Sequence, residues 1–179
     1  MKDEKAVSPV VGIMLMIAIT IVLGVTLIFF ATAFEIQEPA PFVAHASGEL
    51  VRKGGADGHR ADQRVYIYHE GGEPIIVSDM EIVVDSTEVC GKRSRIIDLP
   101  VQNSLNSSNI KGDTGMLDKG LYGIDGAIEE AEFSAGEKLM FRINNGEDAC
   151  PLKKGDQITV KIIHKPTNTI VIEETLTAS

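Results

Sequence analysis

Cysteine, histidine and carboxylate side chains are the first places to look for chemistry, and this sequence scatters them. Its two cysteines, Cys90 and Cys150, lie far apart. Neither belongs to a Cys-x-x-Cys pair or a Cys/His cluster, so a metal-thiolate centre and a redox dithiol are not expected. The four histidines, His45, His59, His69 and His164, are dispersed. The densest polar stretch is His69-Glu70-Gly71-Gly72-Glu73-Pro74. A histidine beside acids suits a metal or a proton relay. Two glycines ahead of an acid and a proline more simply make a turn between strands, and His69, Gly71, Gly72 and Pro74 are read as that structural turn. Asp57-Gly58-His59-Arg60-Ala61-Asp62 offers too few oxygens for a recognised Ca²⁺ loop. Asn106-Ser107-Ser108 is the one N-x-S/T sequon, which makes Asn106 a candidate glycan acceptor on an exported loop. No P-loop, GxGxxG, HExxH, GxSxG or haem-attachment motif occurs. The expectation is a protein with no catalytic residue, no metal and no cofactor.

The chemistry being sparse, the weight shifts to the elements. The chain has 179 residues and a formal net charge of −9, and its Lys and Arg residues form no basic stripe. A nucleic-acid protein needs a positive footprint to displace counterions, so nucleic acid is not an expected partner. Composition divides the chain. Residues 6–34 are almost wholly apolar, whereas residues 35–179 are ordinary and polar. Ser8 can cap a helix and Pro9 is tolerated in its first turn. A helix continuing to Phe34 would exceed the roughly 30 Å hydrocarbon core of a bilayer at about 1.5 Å per residue. It is apolar on every face and must be buried all round. Lys2 and Lys5 precede the run and no Lys or Arg follows until Arg52. The positive-inside rule then places the N-terminus in the cytoplasm and the large domain outside. A cleavable secretory signal has an apolar core of about 7–15 residues. This run is roughly twice as long, so it is expected to stay in the mature protein.

Lys5-Ala6-Val7-Ser8-Pro9-Val10-Val11-Gly12, followed by Ile13-Met14-Leu15-Met16-Ile17-Ala18-Ile19-Thr20, resembles the N-terminus of archaeal type IV pilins. In that family a prepilin peptidase cuts ahead of the hydrophobic stretch and leaves it on the protein. The resemblance implies a processing site at Lys5, Ala6 and Val7, with cleavage after Ala6 and a cut after Lys5 as the fallback. It also implies self-assembly into a helical homopolymer, helped by a pilus assembly ATPase and membrane platform proteins, with membrane lipid around the helix before assembly. Bacterial pilins usually carry a glutamate early in the mature helix, and Val7 to Val11 hold no acid. Small residues let apolar helices approach closely. Gly12, Ala18, Thr20, Gly24, Ala31 and Ala33 supply such positions around Ile17.

Residues 35–41, with Pro39 and Pro41, form a short stiff connector. Beyond it, strands are predicted at Val65–His69, from Pro74 to Val77, at Glu81–Asp85 and at Lys138–Ile143. A C-terminal hairpin of Gln157–His164 and Thr169–Leu176 turns through Lys165-Pro166-Thr167-Asn168. Asn103 to Gly126 reads as a long loop. The expected fold is therefore α+β: a leader over 1–6, a helix over 7–34, the connector, and an all-β sandwich-like, Ig-like head over 42–179. If that head is exported, a Cys90–Cys150 disulfide is plausible and would stabilise it by about 4 kcal/mol; otherwise both are buried thiols. The expected function is a structural pilus subunit displaying its head for adhesion. The alternatives are an archaellin-type motility subunit and a membrane-anchored extracellular binding module.

Overall fold

The computed structural model describes residues 9–33, 39–53, 62–121 and 123–179. It divides into two compact units, residues 1–37 and 38–179. The first contains one α-helix, α1 (Pro9–Ala33), with no buried residue. Its sequence is rich in β-branched residues, which are modest helix formers in water. In an apolar medium unpaired backbone groups are too costly to leave, so the helix is the conformation that satisfies them. Gly12 and Gly24 lie on the helix surface, with open space around the position of an added Cβ.

The second unit is built from antiparallel strands. β1 (Val43–Lys53), β2 (Asp62–Gly72), β3 (Ile75–Ile76) and β4 (Met80–Ser86) come first. A single helical turn, α2 (Thr87–Cys90), leads to β5 (Lys92–Ile96). Then follow β6 (Ile110–Gly112), β7 (Ile124–Gly126), β8 (Glu132–Phe133), β9 (Lys138–Ile143), β10 (Gln157–His164) and β11 (Thr169–Thr177). One sheet has the order β1-β2-β9-β7, another β11-β10-β4-β5-β6, and β3 pairs with β8. The molecule is thus an apolar helix followed by antiparallel β-sheets, the α+β class.

Strict alternation explains why β2 and β10 form where they do. In β2, Gln63, Val65, Ile67 and His69 are buried while the residues between them are not. β10 alternates in the same way, with Ile158, Val160, Ile162 and His164 buried. A period of two puts one set of side chains on the core face of a pleated strand. Phe141, Ile82, Ile96, Ile172 and Leu176 join Val65, Ile67 and Val160 in one contiguous core. The hairpin of β10 and β11 pairs Gln157 with Thr177 at one end and His164 with Thr169 at the other. Its turn places Asn168 at φ 51°, a left-handed conformation that asparagine tolerates better than most residues.

The stretch from Asn103 to Gly126 departs from the expected loop. It contains β6 and β7, and Leu105, Ile110, Met116, Leu117 and Ile124 are buried in the core. These apolar residues are too widely spaced among polar ones to show a period, so only the tertiary fold gathers them. β5 also lacks a sequence signal, because Lys92, Arg93 and Arg95 dominate its composition. Its inward positions are Ser94 and Ile96, both fully buried. The segment expected as a strand from Pro74 is shorter than predicted. After two paired residues it becomes a 3₁₀ turn at Val77–Asp79.

Candidate functional site

The candidate functional elements are the apolar helix and the turn that secures the first strand of the head. α1 has 25 residues, with no acid in its first turn and no base in its last. It is long and apolar enough to cross a membrane. Its only hydrogen-bonding side chains are threonines, and each bonds back to its own helix. Thr20 Oγ1 donates to the Ile17 carbonyl and Thr26 Oγ1 to the Leu23 carbonyl, both at 2.9 Å. Thr32 Oγ1 donates to the Ile28 carbonyl at 2.9 Å. No polar side chain on α1 therefore needs a partner outside the helix. Ala18 and Ile17 lie mid-helix between the Gly12 and Gly24 notches. Lys5, Ala6, Val7 and Ser8 lie outside the described residues, as do the acidic half of the connector and the Asp57–His59 stretch.

The His69–Pro74 segment is a clamp on the start of β1. Glu73 N donates to the Phe42 carbonyl at 2.8 Å, and Phe42 N donates to Glu73 Oε2 at 2.9 Å. Gly72 pairs with Val43 at φ 122°. A Cβ there would lie 2.4 Å from the Phe42 oxygen, so no other residue allows the two backbones to approach this closely. Gly71 carries no such demand: a Cβ would meet nothing within 4 Å. The His69 ring is fully buried and edge-on to Phe133, with centroids 5.4 Å apart. Its Nε2 lies 3.0 Å from the Glu73 carbonyl oxygen. A ring enclosed in this way has no route to a substrate, which favours the structural reading of the histidine. Phe133-Ser134-Ala135-Gly136-Glu137 packs beside it: His69 N donates to the Glu137 carbonyl at 3.0 Å, and Gly136 N to the His69 carbonyl at 2.6 Å. Pro74 follows on the exposed side.

Cys90, at the end of α2, forms a disulfide with Cys150, their Cα atoms 5.5 Å apart across a sequence separation of 60. Cys150 is held in place from β2. Gln63 Nε2 donates to the Cys150 carbonyl at 2.9 Å, and Gln63 Oε1 accepts from Leu152 N at 2.5 Å. Gln63 is 2% exposed. Its role was not apparent from the sequence, although a polar residue on the inward phase of an alternating strand was the available signal. Asn109 is a second buried hub, its Oδ1 accepting from Asn106 N at 3.2 Å. The Asn106 side chain itself is exposed. Asp85 lies just ahead of α2: its Oδ1 accepts from Thr87 N at 3.0 Å and Thr87 Oγ1 at 2.5 Å, and its Oδ2 pairs with the Arg93 guanidinium. Partial burial pushes the Asp85 carboxyl upward. The Thr87 hydroxyl, the Arg93 guanidinium and the Thr87 amide outweigh it and lower the pKa to about 2. Among the described residues, no group of three or more His, Cys, Asp or Glu side chains could hold a metal ion.

Comparison with known proteins bears on the helical end. The family model described as archaeal type IV pilin, N-terminal, matches residues 5–44. An uncharacterized protein of Archaeoglobus fulgidus is 36% identical over 86 residues, covering 48% of this chain and 56% of that protein. The chain thus spans about half the length of the curated relative it matches. The family match takes in all of α1 and the Phe42–Ala44 backbone gripped by the Glu73 turn. It supports a pilin-like subunit: residues 5–44 of this chain are similar to the N-terminal region of archaeal type IV pilins.

Proposed function

We propose that this chain is the structural subunit of an archaeal type IV pilus. It polymerises through its N-terminal helix and displays the β-domain on the filament surface for attachment. The observation that carries this reading is α1: 25 residues, apolar but for three threonines and without a single charge, inside the segment that matches the pilin N-terminal model. Before assembly lipid covers the helix, with the N-terminus in the cytoplasm. A prepilin peptidase removes residues 1–6, and the assembly ATPase and membrane platform proteins then transfer the helix from lipid into a bundle of its own kind. Burial by lipid and burial by neighbouring helices both satisfy a surface that is apolar all round. A head-to-tail contact that does not close yields an open helical polymer. The chain's own part in this is structural.

The test is intact-mass measurement and N-terminal sequencing of the protein from sheared surface material. A chain beginning at Val7 in high-molecular-weight fibres is the expected result. A chain beginning at Met1, recovered only as a monomer from detergent extracts, would make the helix a plain anchor and overturn the filament reading. Replacing Ala6 with glutamate is expected to leave the leader uncut. A processed mature mass in that variant would contradict the assignment of the cleavage site.

A further inference from the structure

The outward face of the β1-β2-β9-β7 sheet holds a cleft that the filament reading does not use. Its volume is about 550 Å³, within the range of small-molecule sites. Strand register assembles it. Arg64 on β2 sits opposite Arg142 on β9, and Met140 on β9 lies between Tyr66 on β2 and Asp125 on β7. Met140 makes the apolar floor and is 5% exposed, while Ile124, paired with Phe141, turns its side chain to the core. Leu121 forms an apolar wall and is 71% exposed. Asn103, Asp125 and Glu129 also line it, Glu129 Oε1 accepting from Asn103 N at 2.6 Å.

The guanidinium groups of this cleft are already paired. Arg64 Nε lies 2.6 Å from Asp62 Oδ2. Arg142 lies 3.4 Å from Asp62 and 3.4 Å from Asp118, and donates to the Leu121 carbonyl at 3.0 Å. Asp125 adds negative charge that no guanidinium of the cleft neutralises at short range. An anion therefore has no free cation to seek here. What remains is short-range capacity: planar groups fixed in orientation by their own ion pairs, donors and acceptors side by side, and an apolar surface between them. That set complements a pyranose ring, which has hydroxyls around its edge and C–H groups on its face.

We propose that this cleft binds a neutral saccharide of about one or two rings. Hydroxyls bond to Asp125, Asn103 and the outer guanidinium N–H groups, while the ring's apolar face lies on Met140 and Leu121. The inference deepens the attachment role and rests on the reading that the head is displayed outward. Binding itself requires only the folded head and not the polymer.

The experiment uses the full chain in a polyoxyethylene detergent, which carries no sugar headgroup. Saturation-transfer difference NMR is run against neutral gluco-, galacto-, manno- and N-acetylglucosamine disaccharides, with a sulfated disaccharide as comparison. At least one neutral disaccharide is expected to bind, with a dissociation constant below about 10 mM. Asp125→Ala is expected to weaken it about tenfold, the cost of losing one well-placed hydrogen bond to a charged acceptor. Leu121→Ser should weaken it several-fold and Thr175→Ala, on the other sheet, should not. Both cleft substitutions are at exposed positions, and an unchanged melting temperature verifies the fold. Absence of binding by every neutral sugar, preference for the sulfated one, or equal binding by all variants overturns the proposal. Failure to find filaments would sink the pilus reading and leave this result standing.

Discussion

At the scale of single residues, the head depends on a few positions where backbone geometry or a carboxylate is committed. Gly72 and Gly71 are neighbours with opposite demands. Gly72→Ala forces a Cβ against the Phe42 carbonyl at a left-handed φ, and should cost about 2–4 kcal/mol. Gly71→Ala should change stability by less than about 1 kcal/mol. Urea unfolding of the two variants checks this, and equal losses would contradict the clamp. Asp85 supplies the pH dependence. Its pKa is lowered in the folded state from 3.8 to about 2. Its contribution is therefore fully present above about pH 4 and is lost as pH falls through about 2. Partial solvent screening limits the effect to about 1–2 kcal/mol. The stability gap between wild type and Asp85→Asn should close as the pH falls from 5 to 2, measured by chemical unfolding at each pH. A constant gap would mean that Asp85 acts through packing alone.

At the scale of elements, the disulfide and the helix are the two devices that local pattern cannot replace. Cys90 and Cys150 close a loop whose residues include β5, β6, β7, β8 and β9. Much of that loop is irregular and has high chain entropy when unfolded. Reduction, or Cys90→Ser with Cys150→Ser, is expected to cost about 2–5 kcal/mol. The unfolding midpoint under reducing and non-reducing conditions measures it, and identical midpoints would show that the bond adds nothing. Because Gln63 bridges the Cys150 carbonyl and the Leu152 amide, Gln63→Leu should lower the midpoint further by leaving the Leu152 amide unpaired. In α1 every threonine is satisfied internally, so the helix has no spare polar partner for an introduced charge. Ile17→Asp should prevent stable insertion or packing, since an unpaired mid-span charge costs at least about 2.5–3.5 kcal/mol. Normal fibres from that variant, viewed by electron microscopy, would rule out a helix packed on all sides.

At the scale of the whole molecule, different physics made different parts legible. The helix could be read from residues 9–33 because a charge-free run of that length has few soluble fates, and because the Lys5-Ala6-Val7-Ser8-Pro9 opening is distinctive. β2 and β10 were legible because a half-buried strand must alternate, and β4, β9 and β11 because they are short runs rich in apolar or β-branched residues. Of the turn expected at His69–Pro74, His69 to Gly72 lie on β2, paired with β1, and only Glu73 and Pro74 stand between strands. β5 and the Asn103–Gly126 region were not legible. Their buried residues, such as Ser94, Leu105, Met116 and Leu117, are too sparse to show a period, and their burial depends on surfaces supplied by distant strands. The same holds for Gln63, which looks polar and solvated until Cys150 and Leu152 are brought against it. The cleft of Arg64, Asp125, Met140 and Arg142 is also nonlocal, because sheet register joins residues from three separate parts of the chain. The sequence by itself therefore determined the apolar helix, the class of fold and the resemblance to pilins, all of which rest on local composition and period. Only the tertiary structure decided the Cys150 anchorage, the Phe42 clamp and the outward cleft, because each is made by contacts between residues far apart in sequence.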